Sequence, residues 1–204
     1  MKPKLCCGAV ADLNALQEAA VAGYNDGITV LALIETIERS NDFAIIKAIN
    51  AAEAGNAARL FREAAFFRLH ILIVRAFAPV RHSDDLHLRA AINFLRQPGR
   101  IDEETWQERR DDLAEAIRLF DEADNDPRLG TLRHMRDKQL AHFARIDESK
   151  GRSTYADLFG LGRATAAIWE RLSFGAGTAM IDIDKQVDAY REAADAFWRR
   201  WKTQ

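Results

Sequence analysis

Apolar residues recur at helical spacing along almost the whole chain, and period-two runs bounded by turns are scarce, so the sequence predicts an all-α protein. Amphipathic helices must bury their apolar stripes against one another, which makes a bundle of about eight or nine helices the expected architecture. The pattern places them at Ala9 to Tyr24, Thr29 to Arg39, Asp42 to Ala54, Asn56 to Ala78, Asp84 to Leu95, Asp102 to Ala123, Pro127 to Phe143, Thr154 to Leu172 and Asp184 to Trp201. Local chemistry supports several ends. Ser83 or Asp84 can cap one helix, Pro98-Gly99 stops the next, and Asp126-Pro127 sets a proline at a first turn after a capping carboxylate. Asp147 to Ser153 and Gly175 to Gly177 read as loops. The most apolar stretch, Ala64 to Val80, is interrupted by Arg68, His70 and Arg75 and falls short of the ~20 clean residues of a membrane span, so it reads as a buried central helix.

The 204 residues suit a single domain spanning 1–204, and 48% apolar with 29% charged residues is the balance of a soluble globular chain. Cys6 and Cys7 are adjacent, which makes neither a disulfide framework nor zinc-ligand spacing and fits a reducing compartment. Lys2 and Lys4 precede a short apolar run, but Asp12 and Glu18 follow too soon for a secretory leader, so a cytoplasmic location is expected. A net charge of −2 argues against non-specific coating of nucleic acid, yet the charge is unevenly spread. Asp102 to Asp126 holds eleven acidic residues against Arg109, Arg110 and Arg118, whereas Arg128 to Arg145 holds five basic residues against Asp137 alone.

The basic run contains Arg136-Asp137-Lys138-Gln139-Leu140-Ala141-His142. At about 100° per residue, Leu129, Leu132, Leu140 and Phe143 all fall within about 40° of Arg136, so its guanidinium projects from an apolar stripe and must meet a carboxylate, a carbonyl or a phosphate. His142 lies about 120° away and about 9 Å further along an ideal helix, too far for both groups to grip one atom unaided. Either the helix ends near His142 and the imidazole swings round, or two copies meet across a two-fold axis and pool their residues; the apolar seam around Arg136 favours the dimer. Arginine matches phosphate geometry with a fixed forked charge, and histidine, with an ordinary pKa of ~6.5, serves as acid or base. RNA strand cleavage without metal needs those parts. Asp137 is the candidate orienting residue, and Arg133, Lys138 and Arg145 are candidate RNA contacts.

An arginine, a polar residue and a histidine after four to six intervening positions resemble the motif of the HEPN superfamily of helical ribonucleases and nucleotide-binding proteins; Arg136, Asp137 and His142 satisfy it with five. The Leu140-Ala141-His142 ending, the long apolar helix closing near Val80-Arg81 and the Thr154-Tyr155 helix start resemble its abortive-infection-protein-U branch over roughly residues 10 to 200. The resemblance implies a homodimeric, metal-independent endoribonuclease with RNA as substrate, no cofactor, Arg136 as phosphate clamp and His142 as acid or base. It also implies a place in phage defence or a toxin system, with a neutralising antitoxin as a further partner. Two other readings stand beside it: an inactive helical module that binds a nucleotide, RNA or protein, and a structural role in which Arg136 locks the dimer through a carboxylate.

Weaker constellations point to structure. His82, Asp84, Asp85 and His87 look like metal ligands, but they fall on a predicted loop and helix start where Ser83, Asp84 and Asp85 are ordinary capping residues. His70, among Phe66, Phe67, Ile71, Leu72 and Ile73, reads as a hydrogen-bonded core histidine, and Arg68 and Arg75 as partners for acidic residues elsewhere. Trp198 and Trp201 fall on an amphipathic stripe with Val187, Tyr190, Ala194 and Phe197, so they read as packing anchors. Gly175-Ala176-Gly177 lacks the lysine of a phosphate cradle.

Overall fold

A computed structural model describes residues 13–101, 103–141, 147, 151–179 and 182–201, which form helices and their connections with no strand among them. Eight α-helices follow in order: α1 (Leu13–Ser40), α2 (Phe43–Ala51), α3 (Gly55–Ala76), α4 (Leu88–Leu95), α5 (Glu103–Asp124), α6 (Pro127–Met135), α7 (Tyr155–Gly175) and α8 (Ile183–Arg199), with a π-helical turn, Arg136–Ala141, continuing α6. The all-α expectation holds.

α1 is one helix where the glycines suggest two. Gly23 and Gly27 do not break it; they are places where another helix comes close. A Cβ on Gly23 would overlap the Trp169 indole, and one on Gly27 would meet Ala166 and Ile183. Gly162 of α7 does the same from the other side, against Ile34 and Val30 of α1 and Ile73 of α3. α7 therefore packs closely between α1 and α5, with Leu161, Ile168 and Leu172 buried along it. A smaller cluster of Ile45, Ile49 and Trp198 joins α2 to α8, and the Trp198 indole N–H donates to the Thr36 carbonyl at 3.1 Å. Trp198 is thus the packing anchor its stripe predicts.

Helix starts follow from capping. Asp42 accepts from the Ala44 amide at 2.8 Å, and Thr154 and Asp157 form a reciprocal capping box. α4 begins four residues later than expected, because His87 and not Ser83 or Asp84 is its cap, Nδ1 accepting from the Ala90 amide. Asp85 turns backward instead and accepts from the Arg81 and His82 amides at 2.7 and 3.0 Å. Over the stretch expected to be a buried helix, Ala64 to Val80, α3 does bury Ala65, Leu69, His70, Leu72, Ile73, Val74 and Ala76, whereas most of its preceding half faces solvent. No described helix is long and apolar enough to cross a membrane.

Two imidazoles, His70 buried and His87 half-buried, hold elements together. His70 of α3 is fully buried, and its Nε2 lies 2.7 Å from the Leu132 carbonyl of α6, so that nitrogen carries the proton. Its Nδ1 has no hydrogen-bonding partner among the described residues. Burial pushes the His70 pKa down and the positive charge of Arg136 adds to this, against the opposing pull of the Leu132 carbonyl. Burial likewise lowers His87, helped by Arg89 and Arg75 and resisted by Asp85 and the Pro79 carbonyl.

Replacing Gly23 with alanine should cost about 1–3 kcal/mol by overpacking, although in an open helix the same change stabilises by about 1 kcal/mol. A Gly23→Ala chain with an unchanged or higher urea midpoint would refute the close α1–α7 approach. The histidines set the pH response. Because both folded pKa values lie below the unfolded value of ~6.5, the unfolded chain binds more protons just below that pH, and stability falls as pH drops through the window. Urea midpoints should decline from pH 7.5 to 5.5; a flat profile would contradict imidazoles held neutral by the fold.

Candidate functional site

The motif begins where α6 ends. Asp126 caps α6, accepting from the Arg128 amide at 2.9 Å with Pro127 in the first turn, and Leu129 and Leu132 anchor the helix in the core. At Arg136 the chain passes into the π-helical turn, and the Arg136 amide donates toward the Leu132 and Arg133 carbonyls. The straight α-helix expected from Pro127 to Phe143 is therefore an α-helix through Met135 and a wider turn beyond it. Single π turns inside helices re-aim side chains and recur at functional sites.

The Arg136 guanidinium, 37% exposed, meets the carboxylate of its own neighbour: Nε donates to Asp137 Oδ1 at 2.7 Å, with a second nitrogen at 2.5 Å. The carboxylate partner foreseen in the structural reading is thus present, but within the motif. A pair between adjacent, half-exposed residues locks no other helix in place, whereas it does fix the plane of the guanidinium. Lys138 is exposed. His142 and Arg145, the other motif residue and candidate contact, lie outside the described residues, and so does Phe143 of the predicted stripe.

Arg133 has a different occupation from the one its charge suggests. Its guanidinium donates to the Phe77 carbonyl at 2.9 Å and to Asp124 at 3.0 Å, and Arg89 binds the same two acceptors, so α4, α5, α6 and the end of α3 meet on these groups. Burial would raise the Asp124 carboxyl, but hydrogen bonds from Arg89 and Arg133 outweigh it and hold the pKa below the ordinary range. The apolar seam also needs correction. Leu129 and Leu132, expected to flank Arg136 on a dimer face, are spent in the chain's own core.

The exposed apolar surface near the motif lies on α3 instead. Ala57, Leu60, Phe61, Ala64 and Phe67 face solvent along the first half of that helix, Leu60 at 59% and Phe67 at 39% exposure, with an Arg59–Glu63 pair beside them. Spacings of three and four residues form one stripe. That second stripe was present in the sequence as excess apolar content, but it reads as core unless the neighbours are known. Tyr155 extends the surface: its ring lies 5.5 Å from Phe66, whose ring is 6.1 Å from His70, and two residues before it the Ser153 amide reaches the Met135 sulfur at 3.4 Å.

Among the described residues no group of histidine, cysteine or carboxylate side chains could hold a metal ion. His87 caps α4, and Asp85 holds the turn before it. Arg75 pairs with Asp26 of α1, Arg68 is exposed, and Gly177 takes a positive φ of 69° in the turn after α7.

The family model described as HEPN_AbiU2, AbiU2, matches residues 15–197. That match covers most of the chain, every described helix included save the ends of α1 and α8, and the protein belongs to this family, with the all-helical HEPN-like fold that membership carries. Comparison with curated proteins and with solved structures found no match.

Proposed function

We propose that this member of the HEPN_AbiU2 family is a metal-independent endoribonuclease whose site is shared between two copies of the chain. The family associates its members with ribonuclease activity, RNA as substrate, dimerisation and abortive infection. One observation in this chain supports the reading above the others: Arg136 stands at the rim of the core on an α-to-π transition, its guanidinium oriented by Asp137, six residues before His142.

In the proposed reaction the 2′-oxygen of a ribose attacks the adjacent phosphorus and the 5′-oxygen of the next nucleotide leaves. One histidine removes the 2′-hydroxyl proton, and another group of the same kind returns a proton to the departing oxygen. Two copies of His142 supply both. Arg136 gathers the charge that builds on the non-bridging oxygens, which is where a fixed, forked cation contributes most. Asp137 is a positioning residue through Arg136. Lys138 and Arg145 hold the flanking backbone, while Arg133, bound to Asp124, acts through the local field.

The dimer seam we propose is the α3 stripe. A helix face with Ala57, Leu60, Ala64 and Phe67 suits an antiparallel meeting with its own copy across a two-fold axis. α3 packs on both α6 and the π turn, with His70 meeting Leu132, so the proposed seam and the motif are carried by directly contacting elements. Such an enzyme acts where RNA is, in the cytoplasm, and as a defence toxin it needs a protein that restrains it.

Incubated with total cellular RNA in chelator, the purified chain should cut and leave 2′,3′-cyclic phosphate and 5′-hydroxyl ends. Arg136→Ala and His142→Ala should each lower cutting by at least about 100-fold with helical content retained. Dependence on added divalent metal, or full activity in either variant, would sink the scheme, and binding without turnover would favour the regulatory module. Leu60→Asp should convert dimer to monomer in sedimentation experiments and remove cutting with it. A Leu60→Asp chain that stays dimeric places the seam elsewhere.

A further inference from the structure

The carbonyl of Leu132 takes two donors at the point where α6 gives way to the π turn. One is the backbone amide of Arg136, and the other is Nε2 of His70, 2.7 Å away and fully buried on α3. The imidazole and the arginine backbone are therefore joined through a single oxygen atom. We infer that His70 is the positioning residue that sets where Arg136 emerges from the core, by pinning the Leu132 carbonyl at the foot of the turn. This rests on the reading of Arg136 as the phosphate clamp.

The geometry explains why an imidazole stands there. A helix whose last regular turn opens into a wider one loosens its carbonyl pattern, and a carbonyl shared with a side chain from another helix restores a fixed point. A donor is required, since two acceptors would repel, and it must be rigid, because a swinging side chain fixes nothing. His70 meets both needs: Phe66 packs edge-on against its ring at 6.1 Å, and the surrounding core leaves it no exposure. A purely apolar residue would fill the space and leave the carbonyl without its second donor. Burial keeps the ring neutral, and among the described residues the positive charge of Arg136 acts in the same direction. His70 touches neither RNA nor the reacting atoms; it acts through the backbone of the residue that does.

Three full-length variants test this. His70→Leu keeps bulk and removes the donor, His70→Gln carries an amide N–H to nearly the Nε2 position, and His70→Asn carries the same group one methylene short of the carbonyl. Cleavage of a labelled single-stranded oligoribonucleotide in chelator and hydrogen exchange across residues 132–141 are the two readouts. For His70→Leu and His70→Asn, kcat should fall about 10- to 100-fold at saturating RNA, as a displaced clamp produces, with KM little changed. Amides of 132–141 should exchange at least about tenfold faster while α1 and α7 keep their protection. His70→Gln should stay within about threefold of the parent on both measures. Equal behaviour of the Gln and Asn variants, or parental kcat and exchange in His70→Leu, would overturn the inference, and the Gln–Asn contrast decides it even where the leucine chain does not fold. If the parent itself cuts no RNA, the ribonuclease reading fails, but the exchange contrast still upholds or refutes the pinning role.

Discussion

The close approach of α1 to α7 is the constraint from which the rest of the molecule follows. Contact at Gly23, Gly27 and Gly162 lets Trp169, Ile34 and Ile73 interdigitate without a gap, and dispersion attraction falls away quickly when such surfaces separate. Gly175 extends the arrangement to α5, where a Cβ would run into Leu113. α7 so placed fixes α3 through the contact of Gly162 with Ile73, and α3 in turn presents His70 to α6. The motif's position is the last link of that chain. Its first link is a missing side chain on a helix far away in sequence.

Much of the fold was legible because helix periodicity is a local property. α2, α3, α5, α7 and α8 fall close to the spans their apolar spacing predicts, and Asp42, Asp126 and Thr154 sit at or beside helix starts where their side chains can accept from free amides. The departures have non-local causes. Gly23 and Gly27 resemble helix breakers until Trp169 and Ala166 are seen against them. His87 as the cap of α4 was hidden by better-known capping residues just before it, of which Asp85 is used on the preceding turn.

The site was legible in part for the same reason. Spacing alone picked out Arg136 and Asp137, and the need of a half-buried guanidinium for a partner was readable from its stripe. What could not be read was which surface the stripe served. Leu129 and Leu132 look alike on a helical wheel whether they meet a second copy or the chain's own core, and the core has them. Nor does Arg-Asp-Lys-Gln-Leu-Ala announce a π turn. Its residues are ordinary helix formers, and the carbonyl at its foot is engaged by α3, sixty-two residues earlier at His70.

Arginine pairing separates the motif from the rest of the basic run. Three carboxylates of the acidic stretch on α5 meet arginines from other elements: Asp112 meets Arg171 at 3.0 Å, Asp121 meets Arg96, and Asp124 meets both Arg89 and Arg133. Arg128 closes on its own cap Asp126. Releasing Arg133 would leave the Phe77 carbonyl and the partly buried Asp124 to Arg89 alone and would untie α6 from α5 and the end of α3, a loss that a phosphate contact would have to offset. Among the described residues, releasing Arg136 from Asp137 undoes only that pair, which is half-exposed, formed between neighbours and contributes little to stability. A phosphate can therefore join the Arg136 guanidinium without taking it away from the fold. The difference between these two arginines, three positions apart on one helix, lies in what each already holds together, and that is the physical basis for placing the clamp at Arg136.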